Sequence, residues 1–382
     1  MTRQIIDVDQ HLFESRQTWV DHIDPSSRDD ALRIEDDSLG WPWLTWRGAK
    51  LSPIEIPFPE RSADIGRDRL LRVSGARAPF RLEDVVPRAY TEAAPRLELL
   101  DQFDIASAVL FPNFGLLWEK MLAEDRDAQR ANARAYNRAM VDAVSDGDDR
   151  LFGVSHIVLH DPSWAVEEIA RVAAAGVRLA MVAPAPVDAK PLSHRDFDPV
   201  WAAFSDHAVA PVFHVSGFES PLHPAWHQGE LETGEILFDS IFLWLAPAVA
   251  LADLILHGTL ERYPALRIGV VELTAGWVPS FLLHLDGASD FYALRHGAPY
   301  RPLAERPSEY FLRQVKVAAL PYEMPNRLVP KVGESTFMVG SDWPHAEGVA
   351  DPRAAAERSA HGLSESAAAG LLADNARWLL GQ

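Results

Sequence analysis

Short runs of apolar and β-branched residues recur along the chain, and segments with helical periodicity separate many of them. Some runs are almost continuously apolar, such as ASAVLF and APVFHV, which is typical of strands buried on both faces. The segments AQRANARAYNRAMVDAV and SWAVEEIARVAAAG are amphipathic at the helical period. The pattern predicts eight strands: Ile5–His11, Ala106–Pro112, Phe152–Val158, Val177–Ala183, Ala210–Ser216, Arg267–Leu273, Val315–Leu320 and Phe337–Trp343.

This alternation of strands and helices determines the predicted fold class. Strands that alternate with helices form parallel sheets, and eight such units close into a (β/α)8 barrel. The chain has 382 residues, which is enough for one barrel of about 250 residues with insertions. We therefore predict an α/β protein in which residues 1–382 form a single TIM-barrel domain with long insertions after strands 1 and 5.

Both predicted insertions are much longer than a simple loop between a strand and a helix. The first covers about residues 15–95 and is rich in tryptophan and proline. The second runs from Gly217 to about Phe238 and contains Trp226 and His227. Long loops in a compact domain usually have a function, such as closing a site. We expect the first insertion to serve as a lid or an oligomer contact; a solvated excursion is the alternative.

Imidazole and carboxylate groups stand at the predicted ends of four strands. In this class of barrel, the catalytic groups lie at the C-terminal ends of the strands. Asp9 and His11 are two residues apart on strand 1, so both can face the barrel mouth. His214, Glu272 and Asp342 stand at the ends of strands 5, 6 and 8. Two imidazoles and two carboxylates suit zinc or manganese, which predicts a metal site formed by Asp9, His11, His214 and Asp342.

Each of these residues has a structural explanation when it is taken alone. A single histidine after an apolar strand is more often a satisfied core residue than a ligand. An aspartate before Trp-Pro, as at Asp342, can simply turn the chain. Their joint placement at corresponding strand ends is what favours a metal site.

Composition narrows the range of partners. The formal net charge is −19, from 36 basic and 55 acidic residues, so the surface repels nucleic-acid phosphates. There is no cysteine, and therefore no disulfide or thiolate ligand. The sequence contains no long apolar membrane span, and its N-terminus lacks the apolar core of a signal peptide. We expect a cytoplasmic protein that binds neither nucleic acid nor a membrane.

Longer landmarks of the sequence resemble a known family. They include IIDVDQHLFE, RLELLDQFDIASAVLFP, FDPVWAAFSDHAVAPVFHVSG, HGTLERYPALRIGVVELTAGWVP and GSDWPHAEG. Over nearly its whole length the chain is similar to the amidohydrolase-related family that contains aminocarboxymuconate-semialdehyde decarboxylase and the metal-dependent benzoate decarboxylases. The resemblance implies a metal-dependent enzyme that acts on a small-molecule carboxylic acid and assembles as a homodimer.

The resemblance also implies where the metal binds. The family's strand-1 motif is His-x-His; here the first position is Asp9 and the second is His11. Benzoate-type decarboxylases of the family also place an acidic residue first. The ligands on strands 5 and 8 match His214 and Asp342. Binuclear relatives have a carbamate-forming lysine at the end of strand 4, where this chain reads VRLAMVAPAP. One divalent ion is therefore expected, with zinc as the first expectation and manganese as the second.

The resemblance leaves the type of reaction open. Many relatives have a histidine at the end of strand 6, where this chain has Glu272. In a decarboxylase of an aromatic or unsaturated acid, Asp342 or Glu272 would carry the proton. In a hydrolase of an ester, amide, lactone or meta-cleavage product, Asp342 would be the base. His257, which precedes strand 6, is a third catalytic candidate, with a structural role as its alternative.

Further residues have candidate supporting roles. His345 follows a ligand closely and could hydrogen-bond to it, and Glu14 could orient a ligand or anchor a loop. Lys50, Arg77 and Arg81 are candidates for binding a substrate carboxylate, and the sequence does not choose among them.

Overall fold

Eight parallel strands form a sheet that curves into a nearly closed barrel. The computed structural model describes residues 3–226 and 240–382. In chain order, the strands are β1 (Ile6–Leu12), β2 (Leu32–Asp36), β3 (Pro42–Trp46), β4 (Ala49–Pro53), β5 (Ser107–Pro112), β6 (Leu151–His156), β7 (Leu179–Met181), β8 (Ala210–Phe213), β9 (Ile268–Val270), β10 (Val315–Ala319) and β11 (Phe337–Val339). The barrel consists of β1 and β5 to β11, which confirms all eight predicted strands.

Helices follow the barrel strands on the outside of the sheet. The described α-helices are α1 (Ala63–Val73), α2 (Leu82–Val85), α3 (Ala93–Phe103), α4 (Trp118–Met121), α5 (Arg126–Val144), α6 (Pro162–Ala174), α7 (Asp198–Asp206), α8 (Leu245–Leu256), α9 (Thr259–Arg262), α10 (Val278–His296), α11 (Pro307–Gln314), α12 (Val329–Val332), α13 (Pro352–Ser359), α14 (Glu365–Ala369) and α15 (Asn375–Leu380). A π-helical turn, Gly370–Asp374, joins the last two. None of the described helices has the length and apolar character that a membrane span needs.

The first and last barrel strands meet at the catalytic end of the barrel. The backbone N–H of His11 donates to the carbonyl of Trp343 at 2.9 Å. The N–H of Asp342 donates to the carbonyl of Asp9 at 2.8 Å. These bonds lie just beyond the C-terminal end of β11, and they join two of the predicted ligand positions directly through the backbone.

The core has two parts because the barrel strands are buried on both faces. Inside the barrel, apolar side chains such as Val8, Val109 and Val154 pack together, and Leu379 and Leu380 of α15 pack against them. A larger cluster fills the space between the strands and the surrounding helices. All four residues of β8, APVF, are buried, which explains the continuous apolar character of that run in the sequence.

The first insertion has secondary structure of its own. Strands β2, β3 and β4 form an antiparallel sheet in which Leu32 pairs with Trp46. The insertion also contributes α1 and α2. Its apolar face joins the main core through fully buried residues such as Leu32 and Leu44.

The second insertion is described in part. It begins at Gly217 and includes a short 3-10 helix, Pro224–Trp226, in which Trp226 is exposed. His227 and the rest of the predicted insertion, to Phe238, lie outside the described residues.

Candidate metal centre

Two buried histidines point the same ring nitrogen into the mouth of the barrel. His11 lies on β1, and its Nδ1 is 2.7 Å from the carbonyl oxygen of Pro112. His214 directly follows β8, and its Nδ1 is 2.8 Å from the carbonyl oxygen of Val215. Because a carbonyl can only accept, each Nδ1 carries a proton and each Nε2 keeps its lone pair. This orientation is common among metal-binding histidines.

Packing and burial hold the His214 ring in this state. The ring stacks on Phe111, with 4.0 Å between the ring centroids. Burial lowers the pKa of His214, although the neighbouring Asp9 carboxylate acts in the opposite direction. The neutral ring is therefore favoured, as a metal ligand requires.

The two acidic residues that follow β9 and β11 have an unusual backbone conformation. Glu272 has a φ of +57° and Asp342 a φ of +54°. This left-handed conformation costs a residue with a side chain about 1–2 kcal/mol. Such strain persists where the surrounding structure enforces it, and it is frequent at functional sites. At both positions the turn follows a short barrel strand, and the carboxylate reaches the histidines.

The side chains from these four strand ends form one compact cluster. His11 Nε2 lies 3.6 Å from Asp9 Oδ1, 3.2 Å from Asp342 Oδ1 and 3.7 Å from Glu272 Oε2. His214 Nε2 lies 3.5 Å from Asp9 Oδ1 and 3.1 Å from Glu272 Oε2. Two sets of potential ligand atoms lie within 4.8 Å of one another: Asp9, His11, His214 and Glu272, and His11, Glu272, Asp342 and His345. They share His11 and Glu272, so they belong to one centre.

The buried polar atoms of this cluster fit a single divalent metal ion. Several have no hydrogen-bond partner among the described residues: Asp9 Oδ1, His11 Nε2, His214 Nε2, Glu272 Oε2 and Asp342 Oδ2. An unsatisfied buried polar group costs about 1–3 kcal/mol, and several together require an explanation. Imidazole nitrogens and carboxylate oxygens are ligands of zinc and manganese, so a bound cation would satisfy them.

Two of the acidic residues at the centre have pKa values shifted in opposite directions. Burial raises the pKa of Glu272 well above its usual value, and the Asp342 and Asp9 carboxylates add to this. Burial would also raise the pKa of Asp342, but His345 and His11 beside it hold that pKa well below its usual range. Neighbouring carboxyl groups with opposite shifts are typical of a site that needs both an acid and a base.

His345 connects the centre to the loop that follows β5. Its Nδ1 lies 2.8 Å from Asp342 Oδ1, and its Nε2 lies 2.7 Å from Asn113 Oδ1. The His345 ring also stacks on His11, with centroids 3.8 Å apart. Asn113 was not predicted from the sequence. Its position immediately after a barrel strand was the feature of the sequence that could have identified it as a site residue.

Glu14 anchors the same loop, which is one of the two roles predicted for it from the sequence. Its carboxylate accepts the backbone N–H groups of Asn113, Phe114 and Gly115 at 3.2, 2.8 and 2.8 Å. Burial raises the pKa of Glu14 to about 7, while the backbone donors favour its charged form. A side chain at Gly115 would come within 2.5 Å of Glu14 Oε1, so the close approach requires glycine there.

His257 is not among the residues that the structure brings together at the centre. It caps the C-terminal end of α8, where its Nδ1 is 3.0 Å from Asp253 Oδ1 and its Nε2 is 3.2 Å from the Tyr300 hydroxyl. The side chain is 39% exposed. The helix that precedes a strand ends near that strand's N-terminal end, opposite the catalytic face of the barrel.

A cavity of about 540 Å³ lies between the first insertion and the barrel rim. Asn113, Phe114 and His345 line it from the rim, and Arg69 and Arg72 line it from α1. This volume is within the range of pockets that bind small molecules. The cavity touches His345, which contacts Asp342, so it adjoins the centre.

The cationic residues of this cavity differ from those predicted. Lys50 forms an ion pair with Asp37, at 2.8 Å, and Arg69 donates to Glu55 at 2.7 Å. Arg72 lies 5.0 Å from the rings of both Trp41 and Trp43. Its Nε and Nη1 are buried and have no hydrogen-bond partner in the described parts of the chain. Sequence reasoning missed Arg72 because α1 offers several arginines without indicating which one faces the site.

Comparisons with known proteins agree with the barrel fold. Among solved structures, an amidohydrolase from Mycobacterium avium subsp. paratuberculosis is 27% identical, with a TM-score of 0.80 over 100% of both chains. The 5-carboxyvanillate decarboxylase of Sphingomonas paucimobilis is 18% identical, with a TM-score of 0.65 over 100% of this chain and 99% of that one. A dihydroxybenzoic acid decarboxylase from Polaromonas, solved with manganese and 2-nitroresorcinol, is 16% identical, with a TM-score of 0.62 over 100% and 97% of the two chains.

The family assignment comes from the sequence itself. A search of curated proteins found no match. The model of the amidohydrolase family matches residues 6–382, almost the entire chain. The chain therefore belongs to the amidohydrolase family, and it is an enzyme of that family.

Proposed function

We propose that this enzyme is a metal-dependent decarboxylase of an aromatic or unsaturated carboxylic acid. The observation that carries the proposal is the buried cluster at the barrel mouth, where two imidazoles face the carboxyl groups of Asp9, Glu272 and Asp342 and leave several polar atoms without a partner among the described residues. Burial raises the pKa of Glu272 in this cluster. A decarboxylase needs a protonated acid close to the cation that binds its substrate. The fold is shared with decarboxylases of hydroxylated benzoic acids, one of which contains manganese.

We propose that Asp9, His11, His214 and Asp342 hold one divalent ion. Their unpartnered atoms converge at the mouth of the barrel, as two nitrogen and two oxygen donors. This donor set suits zinc first and manganese as the alternative. When bound, the ion supplies positive charge that stabilises the negative charge developing on the substrate.

Glu272 is the proposed proton donor. When the bond between the substrate carbon and its carboxylate breaks, CO2 leaves and the electron pair stays on the carbon. That carbon then takes the proton of Glu272, whose Oε2 lies 3.1 Å from His214 Nε2 at the edge of the centre. Solvent returns a proton to Glu272 for the next turnover. His345, which Asn113 holds through its other ring nitrogen, positions Asp342, and His345 and His11 keep Asp342 ionised.

Arg72 is the proposed cationic contact for the substrate. It is a half-buried side chain in the wall of the cavity; its Nη2 donates to the carbonyl of Ile54, while its Nε and Nη1 have no partner among the described residues. An anionic substrate would supply the missing acceptors. With the overall charge of −19, a local cation is needed to attract such a substrate into the cavity.

A hydrolase is the second candidate function. The family model carries the name amidohydrolase, as does the 27% identical structure. In this alternative, ionised Asp342 would take a proton from the attacking water, and the bond cleaved would be that of an ester, amide, lactone or meta-cleavage product. The residues that hold the metal would be the same.

One experiment separates the two reactions. The purified protein, loaded with zinc or manganese, is incubated with a panel of hydroxybenzoic acids in D2O and, separately, in 18O-labelled water. A decarboxylase releases CO2 and places deuterium on the carbon that lost it. Turnover of any substrate that puts 18O in the product without releasing CO2 would reject the decarboxylase and support the hydrolase.

The partners proposed for the chain are a small carboxylic acid and a second copy of itself. The acid follows from the cavity and the centre. The homodimer follows from the family resemblance in the sequence.

A further inference from the structure

A histidine at the end of β6 has a buried ring nitrogen that the mechanism does not use. His156 is the last residue of β6 and is 1% exposed. Its Nε2 lies 2.7 Å from Glu119 Oε2, while its Nδ1 is buried and has no hydrogen-bond partner among the described residues. Buried polar atoms without a partner are rare and require an explanation. The metal centre does not supply one, because His156 belongs to neither group of potential ligands that the described residues form.

The His156 side chain is on the inner face of the barrel. Val154, two residues earlier on β6, lies in the interior cluster, and residues two apart on a strand share a face. Met181, the partner of His156 on β7, lies in the same cluster. Since His156 ends its strand, it stands at the barrel mouth, where the catalytic groups of such barrels lie.

The stagger of the strands brings His156 level with two of the proposed metal ligands. In an eight-stranded barrel of shear 8, each strand is displaced by about one residue from the next. His11 on β1 pairs with Phe111 on β5, and the pairing of β5 with β6 continues this level to Val154. His156 is two residues further along, and β6 is two strands from β1. The pairing then continues from His156 to the residue two before His214, on β8, which is two strands further round. Side chains on alternate strands form one layer of a barrel interior, so these three histidines share a layer.

The segment that follows β5 brings Trp118 and Glu119 to His156. The ring centroids of Trp118 and His156 are 4.9 Å apart. Trp118 is fully buried, and its Nε1 has no hydrogen-bond partner in the described parts of the chain. The segment is fixed to the loop that follows β8, because the carbonyl of Leu116 accepts the N–H of Gly217 at 2.8 Å. Two adjacent rings therefore each offer one unused nitrogen.

These two nitrogens need different partners. A carboxylate can only accept, so the Glu119 contact places a proton on His156 Nε2 and leaves a lone pair on Nδ1 of the neutral ring. The indole N–H of Trp118 can only donate. A hydroxyl group matches both nitrogens, because it donates one hydrogen bond and accepts others. A carboxylate would leave the lone pair of His156 unmatched.

We infer that His156 and Trp118 form a subsite for a hydroxyl group of the substrate, with Glu119 as the positioning residue that holds the imidazole. The inference rests on the proposed function, because the carboxylate of the same acid would lie at the cation. Leu117, next to Trp118, lines the cavity proposed to admit that acid. A hydroxyl next to the carboxylate would stay close to the cation, and His156 lies outside both clusters of potential ligands. The subsite therefore suits an aromatic acid with a hydroxyl in the meta or para position.

Binding of simple aromatic acids tests the subsite without requiring turnover. The metal-loaded protein is titrated in a calorimeter with benzoate, 3-hydroxybenzoate, 4-hydroxybenzoate and the methoxy counterpart of each hydroxy acid. Methylation removes the proton that His156 would accept. We expect the wild type to bind at least one hydroxybenzoate about tenfold or more tightly than both benzoate and its methoxy counterpart. His156→Phe should lose this preference and keep its metal content and its affinity for benzoate.

Two further variants separate the roles of the subsite residues. Trp118→Phe keeps an aromatic ring and removes the indole N–H, so the hydroxyl preference should fall by about two- to tenfold. Glu119→Ala should also lower the preference while the affinity for benzoate stays the same, which a general loss of structure would not allow. Trp164→Phe, a change of a buried indole on α6, is the matched control and should keep the full preference.

The outcomes separate this inference from the proposed function. A wild type without the hydroxyl preference would overturn the inference. So would a preference that His156→Phe leaves intact or, if that variant does not fold, one that Trp118→Phe leaves intact. Release of CO2 from an acid without any hydroxyl preference would reject the subsite and keep the decarboxylase. A preference that depends on His156, in a protein that releases no CO2, would do the reverse.

Discussion

The metal centre and the first insertion meet at one cavity but are built in opposite ways. At the centre, Asp9, His11 and His214 are at most 1% exposed, and each stands at the end of a barrel strand. In the insertion, charged side chains pair near the surface, as Arg16 does with Asp36 and Glu83. The position of each ligand depends on the whole barrel, whereas these surface pairs join segments within the insertion. We infer that the barrel determines the chemistry and that the insertion adjusts which substrate reaches it.

This contrast predicts different kinds of damage from substitutions in the two regions. Changes at the centre should remove metal or lower kcat. Changes in the insertion should raise KM or lower stability, with the chemical step preserved.

The largest effect is expected from His214→Ala. The variant loses a ligand that faces Asp9 and Glu272, so most of the bound metal should be lost. Substitution of residues that merely support a ligand already costs about 10–100-fold, so activity should fall by more than about a hundredfold. Elemental analysis and turnover measure both losses, and circular dichroism checks the fold. His257→Ala is the matched control and should keep both metal and activity. Full metal content in His214→Ala would remove it from the ligand set.

The next largest effect is expected from Glu272→Gln. An amide of similar size cannot supply a proton, so turnover and solvent deuterium incorporation should slow by about a hundredfold or more. If Glu272 is an acid and not a ligand, elemental analysis should still find about one equivalent of metal. Glu357→Gln, an exposed substitution on α13, is the control. Loss of metal in Glu272→Gln would make Glu272 a ligand, and near-normal turnover would exclude it as the proton donor.

The same contrast explains how far the sequence could predict the structure. All eight barrel strands followed from the apolar runs, because strands buried on both faces are distinctive. Barrel sites form at strand ends, which is why His11 and Asp342, now 3.2 Å apart, could be named as candidates. Asn113 and Arg72 could not be found in this way. Asn113 acts through a loop held by Glu14, and the position of Arg72 depends on how the insertion packs against the rim. His257 was a catalytic candidate because its position in the sequence does not show at which end of the barrel its side chain lies.

A smaller effect on the reaction is expected from Arg72→Met, which keeps much of the side-chain volume in the cavity wall. Hydrogen bonds to charged groups contribute about 1.5–3 kcal/mol, so loss of the substrate contact should raise KM by about 10–100-fold. The value of kcat should change much less, because Arg72 is not placed at the reacting carbon. Steady-state kinetics with the active acid gives both constants. Arg67→Met, an exposed change on the same helix, should leave KM unaltered. A fall in kcat alone would show that Arg72 acts on the chemical step instead.

The smallest effect on the reaction is expected from Asp37→Asn, which should change the stability of the insertion. The Asp37 carboxylate accepts the backbone N–H groups of Leu39 and Trp41, each at 3.0 Å. It also accepts Trp43 Nε1 at 3.0 Å and Lys50 Nζ at 2.8 Å. Burial acts to raise the pKa of Asp37, but these donors outweigh it and hold the pKa below its usual range.

A depressed carboxyl pKa gives stability that is present above the unfolded-state pKa of about 3.9 and is lost as the pH falls towards the lower folded-state value. Asp37→Asn keeps an acceptor oxygen but loses the charge that this pH dependence requires. At pH 7 the variant should be less stable than the wild type by about 1–3 kcal/mol, the usual contribution of hydrogen bonds to a charged group. The difference should shrink when urea unfolding is repeated near pH 3, where the wild type has begun to lose the same charge. Turnover at pH 7 and low urea should be unchanged. A difference in stability that is equal at both pH values would show that the Asp37 charge does not hold the insertion together.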